Sequence, residues 1–182
     1  LGGAPVDGAV IPAAGRRKRL LIADMDSTII GCECIDELAD FAGVKEQVSQ
    51  ITERAMRGEL DFPEALRHRV ALLKGLPLGA LQQAYDERVR LNPGARTLVQ
   101  TMKAHGAHSV LVTGGFTAFA GPVGEAIGFD KVVANELLVE GGKLTGRVGE
   151  PIVDSGTKLE TLRAEAAKHG LPMGETLAIG DG

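Results

Sequence analysis

The chain has 182 residues, a formal net charge of −4, 44% hydrophobic residues and only 3% aromatic ones, with no Trp. That length suits one domain, or one domain carrying a large insertion; it buries roughly 70% of its unfolded surface, so folding needs no disulfide or structural metal. The acidic balance argues against a general nucleic-acid binder, which would show a basic face. No stretch nears the ~20 apolar residues of a membrane span and no signal peptide is visible, so the expected setting is cytoplasmic.

Residues 1–18 begin rich in Gly, Ala and Pro and read as a linker from a longer protein, since the chain opens on Leu1. The cluster Arg16-Arg17-Lys18-Arg19 reads as a solvated lead-in. Arg19–Ala23 is a continuous apolar run after its first residue, as expected for a strand buried on both faces of a parallel sheet. From Cys34 to Arg90 the period changes to that of helices. Ile35, Leu38, Ala39 and Ala42 form one stripe, Val48, Ile51 and Ala55 another, and Leu66, Val70 and Leu73 a third. Gly43, Gly58, Gly75-Leu76-Pro77 and Asn92-Pro93-Gly94 punctuate these helices.

Strand and helix then alternate. Thr97–His105 reads as helix, Ser109–Val112 as buried strand, Ala118–Ile127 as helix and Lys131–Ala134 as a short strand. Glu136–Val139 and Lys143–Val148 flank Gly141-Gly142 as a hairpin, Lys158–His169 is a helix, and Thr176–Ile179 the last strand. The pattern predicts an α/β fold with a doubly wound, Rossmann-like parallel sheet. Its core spans 19–32 and 92–182, with a helical cap over 33–91 inserted after the first strand.

Ligands of open α/β sheets bind at the carboxyl ends of strands. Three strand ends here are unusually polar: Asp24-Met25-Asp26-Ser27-Thr28, Thr113-Gly114-Gly115 and Gly180-Asp181-Gly182. Asp24, Asp26 and Asp181 would converge into an oxygen-rich nest suited to Mg²⁺, which also offsets the repulsion between two aspartates one residue apart. Thr113 offers a hydroxyl, the glycines let backbone N–H groups approach an anion, and the next helix adds its N-terminal end. Lys158 supplies a mobile cation. Taken singly, each part has an ordinary reading as turn former, loop or solvated residue; together they describe a phosphoryl-transfer site. Phosphate-monoester hydrolysis needs accelerations of up to ~10²¹-fold, and acid–base help supplies ~10²–10⁴, so no single aspartate suffices. Cys32 and Cys34 are too close for an ordinary disulfide and lack the company of a zinc site.

Arg69 occupies a slot in the stripe Leu66, Val70, Leu73, either with its stem packed and its head in water or with its head on a ligand. Arg67, two residues away, faces elsewhere. Alone, Glu33 reads as an exposed first-turn acid, and Met56 and Phe62 as ordinary core residues.

These motifs resemble the haloacid dehalogenase (HAD) superfamily over roughly residues 19–182, and within it the branch that acts on O-phosphoserine. The likeness rests on DMDST (24–28), ECIDELA from Glu33, LRHRVALLKGL (66–76), VTGGF (112–116), GKLTG (142–146), Lys158 and AIGDG (178–182). It implies a HAD-type sheet with cap and hairpin, and a Mg²⁺-dependent phosphatase ending serine biosynthesis. Asp24 would be the nucleophile, giving an aspartyl-phosphate, and Asp26 the general acid and then base. Mg²⁺ would be held by Asp24, Asp181 and the backbone carbonyl of Asp26; phosphoryl oxygens by Thr113, Gly114 and Lys158. Arg69 would bind the substrate carboxylate, Glu33 its ammonium, and Met56 and Phe62 would cover the site as the cap closes. Thr113 stands where the family often has Ser, keeping the hydroxyl.

Two alternatives remain open. Another small-molecule phosphatase or phosphotransferase of the superfamily would not turn Arg69 and Glu33 toward the aspartates. A phosphoacceptor signalling module places its acceptor on a later strand and carries no large helical insertion. A dehalogenase needs neither the second aspartate nor Mg²⁺. In the family the GDG motif runs on into an Asn-Asp pair, so the expectation is an active full-length parent and an unstable or nearly inactive 1–182 piece.

Overall fold

In the computed structural model, Val10, Ala13 and residues 15–181 are described, and the expected linker therefore lies largely outside the described residues. Of the basic lead-in, Arg16, Arg17 and Arg19 are exposed, and Lys18 donates to the carbonyls of Gly15 and Gly174 at 3.0 and 2.6 Å.

Four strands form the main sheet: β1 (Leu20–Ala23), β2 (His108–Phe116), β3 (Lys131–Asn135) and β6 (Thr176–Ile179). Their order is β3-β2-β1-β6 and every pairing is parallel. In register, Leu20 faces His108 and Thr176, and Ala23 faces Leu111 and Ile179. The period of two sorts their side chains cleanly. Leu21, Ala23 and Leu111 pack on one face with Val99 of α5 (Ala95–Ala104) and with Phe119, Val123 and Ile127 of α6 (Thr117–Ile127). Leu20, Ile22, Val110 and Val112 pack on the other with Leu162 and Ala166 of α7 (Ser155–Lys168). Both faces being covered is why β1 reads as an unbroken apolar run.

Between β1 and α5 lie α1 (Cys34–Phe41), α2 (Lys45–Met56), α3 (Phe62–Leu72) and α4 (Leu78–Arg88). The chain leaves and re-enters the sheet through one seam. Ile30 bridges Leu91 in antiparallel sense, Asn92 N–H donates to Ile29 O at 2.9 Å, and Asn92 Nδ2 donates to Thr28 O at 2.8 Å and Ile30 O at 3.2 Å. The hairpin of β4 (Leu137–Glu140) and β5 (Lys143–Val148) braces α3 from outside. Gly75 N–H donates to Leu144 O and Leu144 N–H to Leu76 O, at 2.8 and 2.9 Å. Gly146, at φ +77°, is required here: a Cβ would stand 2.9 Å from Lys74 Cβ and 3.2 Å from the Ala71 carbonyl.

Two elements extend three or more residues beyond their expected ends. Strand β2 runs through Gly114 and Gly115 to Phe116 rather than stopping at Val112. The glycines continue an extended backbone because Asn135 holds it: Asn135 Nδ2 donates to Gly114 O at 2.9 Å, and Phe116 pairs with Asn135 after a register shift. Helix α7 starts at Ser155 rather than Lys158, because Asp154 and Thr157 form a capping box. Thr157 N–H donates to Asp154 Oδ1 at 2.9 Å, and Asp154 N–H to Thr157 Oγ1 at 3.3 Å, a cap worth about 1 kcal/mol.

Candidate active site

The carboxyl ends of β1, β2 and β6 open into a cavity of about 180 Å³. It is lined by Asp24, Asp26, Thr113, Gly114, Gly115, Lys158 and Asp181 from the sheet side and by Glu33, Ile35, Phe62, Leu66 and Arg69 from the helical side.

Asp24 follows the last residue of β1, with its N–H donating to Ile179 O at 3.0 Å. One carboxylate oxygen accepts from Met25 N–H at 2.8 Å and the other from the ammonium of Lys158. That lysine reaches across from the first turn of α7, which the Asp154 cap fixes. A Cβ on Gly180 would stand 3.7 Å from Asp24 Cβ, so the end of β6 that carries Asp181 abuts Asp24 closely.

Asp26 sits differently. Its Oδ2 accepts from Cys34 N–H at 3.2 Å, while Oδ1 is buried without a hydrogen-bond partner. Burial pushes its carboxyl up from the ordinary 3.8 to about 7, with the charges of Glu33 and Asp24 adding to the rise and the Cys34 hydrogen bonds opposing it. The turn between them turns sharply: Ser27 takes a left-handed φ of +53°, and its hydroxyl donates to Glu33 Oε1 at 2.6 Å. Ser27 therefore orients Glu33 over the cavity.

Thr113 is fully buried, and its Oγ1 accepts from Gly115 N–H at 2.9 Å. Gly115 has no room for a side chain, since a Cβ would lie 2.9 Å from Met25 Cε and 3.3 Å from Asp26 Oδ2. At Gly114 a methyl would stand 2.8 Å from Phe62 Cζ, so the Phe62 ring lies directly over the bare backbone. Arg69 is half-buried, with Nε donating to Ala65 O at 3.3 Å and a long contact of 3.5 Å to Thr52 Oγ1. Burial lowers its pKa, opposed by Asp36 and Glu33.

Nine of the ten residues expected at the site thus line one cavity. Met56 does not join them: it is 83% exposed and absent from the cavity wall. It ends α2 one residue past Ala55, and one residue of helix turns a side chain about 100° away from the stripe that packs. Sequence reasoning missed Asn135, whose Nδ2 also donates to Val153 O at 3.2 Å while its Oδ1 accepts from Val153 N–H at 2.8 Å. It ties the Gly114 strand end to the segment leading into α7. Only its position at the end of a β-strand hinted at such a role.

Paired carboxylates, one of them pushed up by burial, a lysine, a hydroxyl and a glycine-bared strand thus meet at the mouth of a doubly wound sheet. A model of the haloacid dehalogenase-like hydrolase family matches residues 21–182, and the chain belongs to that family. It is 46% identical over 167 residues to "Phosphoserine phosphatase" of Archaeoglobus fulgidus, covering 92% of this chain and 48% of that protein. The chain thus spans about half the length of that curated relative. Among solved structures it is similar to a substrate-bound phosphoserine phosphatase complex, at TM-score 0.84 and 38% identity over 92% of this chain and 79% of the other. A phospho-aspartyl intermediate analogue of phosphoserine phosphatase gives 0.83 and 39%, with the same coverage.

Proposed function

We propose that the protein containing this chain is a phosphoserine phosphatase, hydrolysing O-phosphoserine, a small-molecule substrate, to serine and phosphate in the cytoplasm, as the last step of serine biosynthesis. The observation that carries the reading is the unequal pair: Asp24 held by Lys158, and Asp26 two residues on with its carboxyl near 7. A group that titrates there can both give and take a proton at neutral pH. The similarity to a phospho-aspartyl analogue supports the same division of labour.

Asp24 attacks phosphorus in line with the seryl oxygen, forming an aspartyl-phosphate as the P–O bond to serine breaks. Asp26 delivers its proton to the departing oxygen, then removes one from the water that hydrolyses the acyl phosphate, which returns both aspartates to their starting state. Lys158, Thr113 Oγ1 and the Gly114 N–H hold the phosphoryl oxygens as fixed donors aimed at the charge that develops there. Arg69 binds the substrate carboxylate and Glu33, steadied by Ser27, its ammonium; Phe62 shields the strand end from water.

The donors suit Mg²⁺. Asp24 and Asp181 bring carboxylates from adjacent strand ends to one cavity, and an all-oxygen set fits a hard dication. Asp24, Asp181 and the Asp26 carbonyl would hold it. When bound, it neutralises charge on the phosphoryl group and on the crowded carboxylates. Met56 stays outside this assignment in the geometry described here.

The test is phosphate release by the full-length protein, with and without Mg²⁺, from phosphoserine, phosphothreonine and sugar phosphates. Preferred turnover of phosphoserine, abolished by Asp24→Asn, is the expected result. Equal rates across the panel overturn the substrate assignment, and activity surviving in Asp24→Asn overturns the mechanism.

A further inference from the structure

At the opposite, amino-terminal end of the sheet, three side chains meet that the phosphatase chemistry does not use. His108 opens β2, while Glu165 lies in the last turn of α7 and His169, four residues on, is the C-cap that follows it. One donor atom from each lies within 4.8 Å of the other two. His108 Nε2 is 3.5 Å from Glu165 Oε2, and His169 Nε2 is 3.6 Å from the same oxygen. These separations are too long for good hydrogen bonds. They are close to the edge of a tetrahedron with metal–ligand arms of 2.0–2.1 Å, about 3.3 Å.

A second observation points the same way. Glu165 is only 3% exposed, yet its Oε2 has no hydrogen-bond partner, and neither does His108 Nε2. Two buried polar atoms aimed at one point leave a desolvation cost that a bound cation would offset. The other carboxylate oxygen is already used: Glu165 Oε1 accepts from Lys131 Nζ at 2.7 Å, which fixes the side chain and leaves Oε2 directed at the imidazoles. Asp130, which accepts from Ser109 N–H at 2.8 Å, brings a further carboxylate to 3.6 Å from His108 Nδ1. Burial first, and the neighbouring His169 second, lower the His108 pKa toward the neutral form that ligates. Lys168 Nζ, 3.7 Å from Glu165 Oε2, is two-thirds exposed and free to swing into solvent.

We propose that His108, Glu165 and His169 form a structural site for a borderline divalent cation of the Zn²⁺ class, with water as fourth ligand on the half-exposed His169 side. Two imidazoles and a carboxylate match that class, and hard Mg²⁺ prefers the all-oxygen donors at the other end of the sheet. The ion would staple the start of β2 to the end of α7, where the His108 and His169 rings already lie 4.3 Å apart, centroid to centroid.

The probe is Zn²⁺ itself, titrated calorimetrically into metal-stripped full-length protein with Mg²⁺ in excess, and Co²⁺ as its spectroscopic substitute. The expected result is one Zn²⁺ per chain and the intense visible bands of four-coordinate Co²⁺. X-ray absorption should show two imidazole ligands, a readout that needs no variant. His169→Gln should weaken Zn²⁺ binding more than about a hundredfold, because even outer partners of a ligand cost 10–100-fold, and Glu165→Gln should act likewise. Asp24→Asn should leave binding unchanged. Absence of Zn²⁺ binding in the parent protein, an absorption spectrum without imidazole, or unaltered affinity in His169→Gln each overturns the proposal. Loss in Asp24→Asn with retention in His169→Gln also overturns it and assigns the ion to the aspartates.

Discussion

Replacing Asp26 by Asn isolates what it costs to keep a carboxyl buried between Asp24, Glu33 and the first helix. Asn preserves the shape and an oxygen to accept from Cys34 N–H, a bond of 3.2 Å in the parent, but does not titrate. In the unfolded chain Asp26 loses its proton near 3.8, whereas in the fold it keeps it to about 7. Across that window the native state binds more protons than the unfolded state, so parent stability falls as pH rises. Three pKa units at 1.36 kcal/mol each amount to about 4 kcal/mol by pH 8. The variant escapes this loss. Its stability should match the parent's near pH 4 and exceed it increasingly up to pH 8. With an m value of about 2 kcal/mol/M, the urea midpoints should separate by about 2 M at the alkaline end. The measurement is a urea titration of both proteins at several pH values in EDTA, which removes any bound dication from the comparison. A gap that stays constant with pH, or one that grows in the parent's favour, refutes the assignment of a raised Asp26. The same substitution should reduce phosphate release by about 10²–10⁴-fold, the share of general acid–base catalysis.

Other substitutions probe the walls of the cavity. Asn135→Ala removes three hydrogen bonds and strands the buried Val153 N–H and Gly114 carbonyl, at a cost of about 2–4 kcal/mol; a thermal melt unchanged from the parent would reject its bridging role. Gly114→Ala puts a methyl 2.8 Å from the Phe62 ring and should cut turnover more than about tenfold, with Phe62→Ala in the same chain restoring part of it; no recovery would show that the clash is not the cause. Arg69→Ala should raise KM for phosphoserine by about 10–150-fold, the worth of a charge-assisted hydrogen bond, and leave KM for a phosphate ester without a carboxylate nearly unchanged. Equal effects on both esters would remove Arg69 from carboxylate recognition.

What the sequence revealed and what it withheld divide along a physical line. Asp24 and Thr113 were legible because each directly follows a buried apolar run, and Asp26 and Asp181 because each stands within three residues of a strand's last residue; a parallel sheet sends all such ends to one edge. The α1–α4 insertion was legible from its period. Arg69 could be placed on a stripe, but its proximity to Glu33 depended on how α3 packs, which periodicity does not encode. The continuation of β2 through Gly114 and Gly115 was hidden because Asn135, twenty residues later, holds that backbone extended. The His108, Glu165 and His169 cluster was hidden for the same reason: His108 is far in sequence from the other two and meets them only once α7 lies across β2. Met56, given to the site only by resemblance, stands exposed at the end of α2, off the cavity wall.

The seam formed by Ile30, Leu91 and Asn92 gives the molecule a natural splice point. Because the departing and returning backbones are hydrogen-bonded there, the ends of whatever lies between are held together, and added length costs little further closure entropy. A foreign helical segment ligated at residues 31 and 90 would inherit the same two anchors. It would need its own edge to meet the backbone of Leu144, while the aspartates below kept their register. Exchanging the insertion as a cassette should therefore carry over Asp24, Thr113 and Lys158, while the new segment must again supply the N–H that Cys34 gives to Asp26.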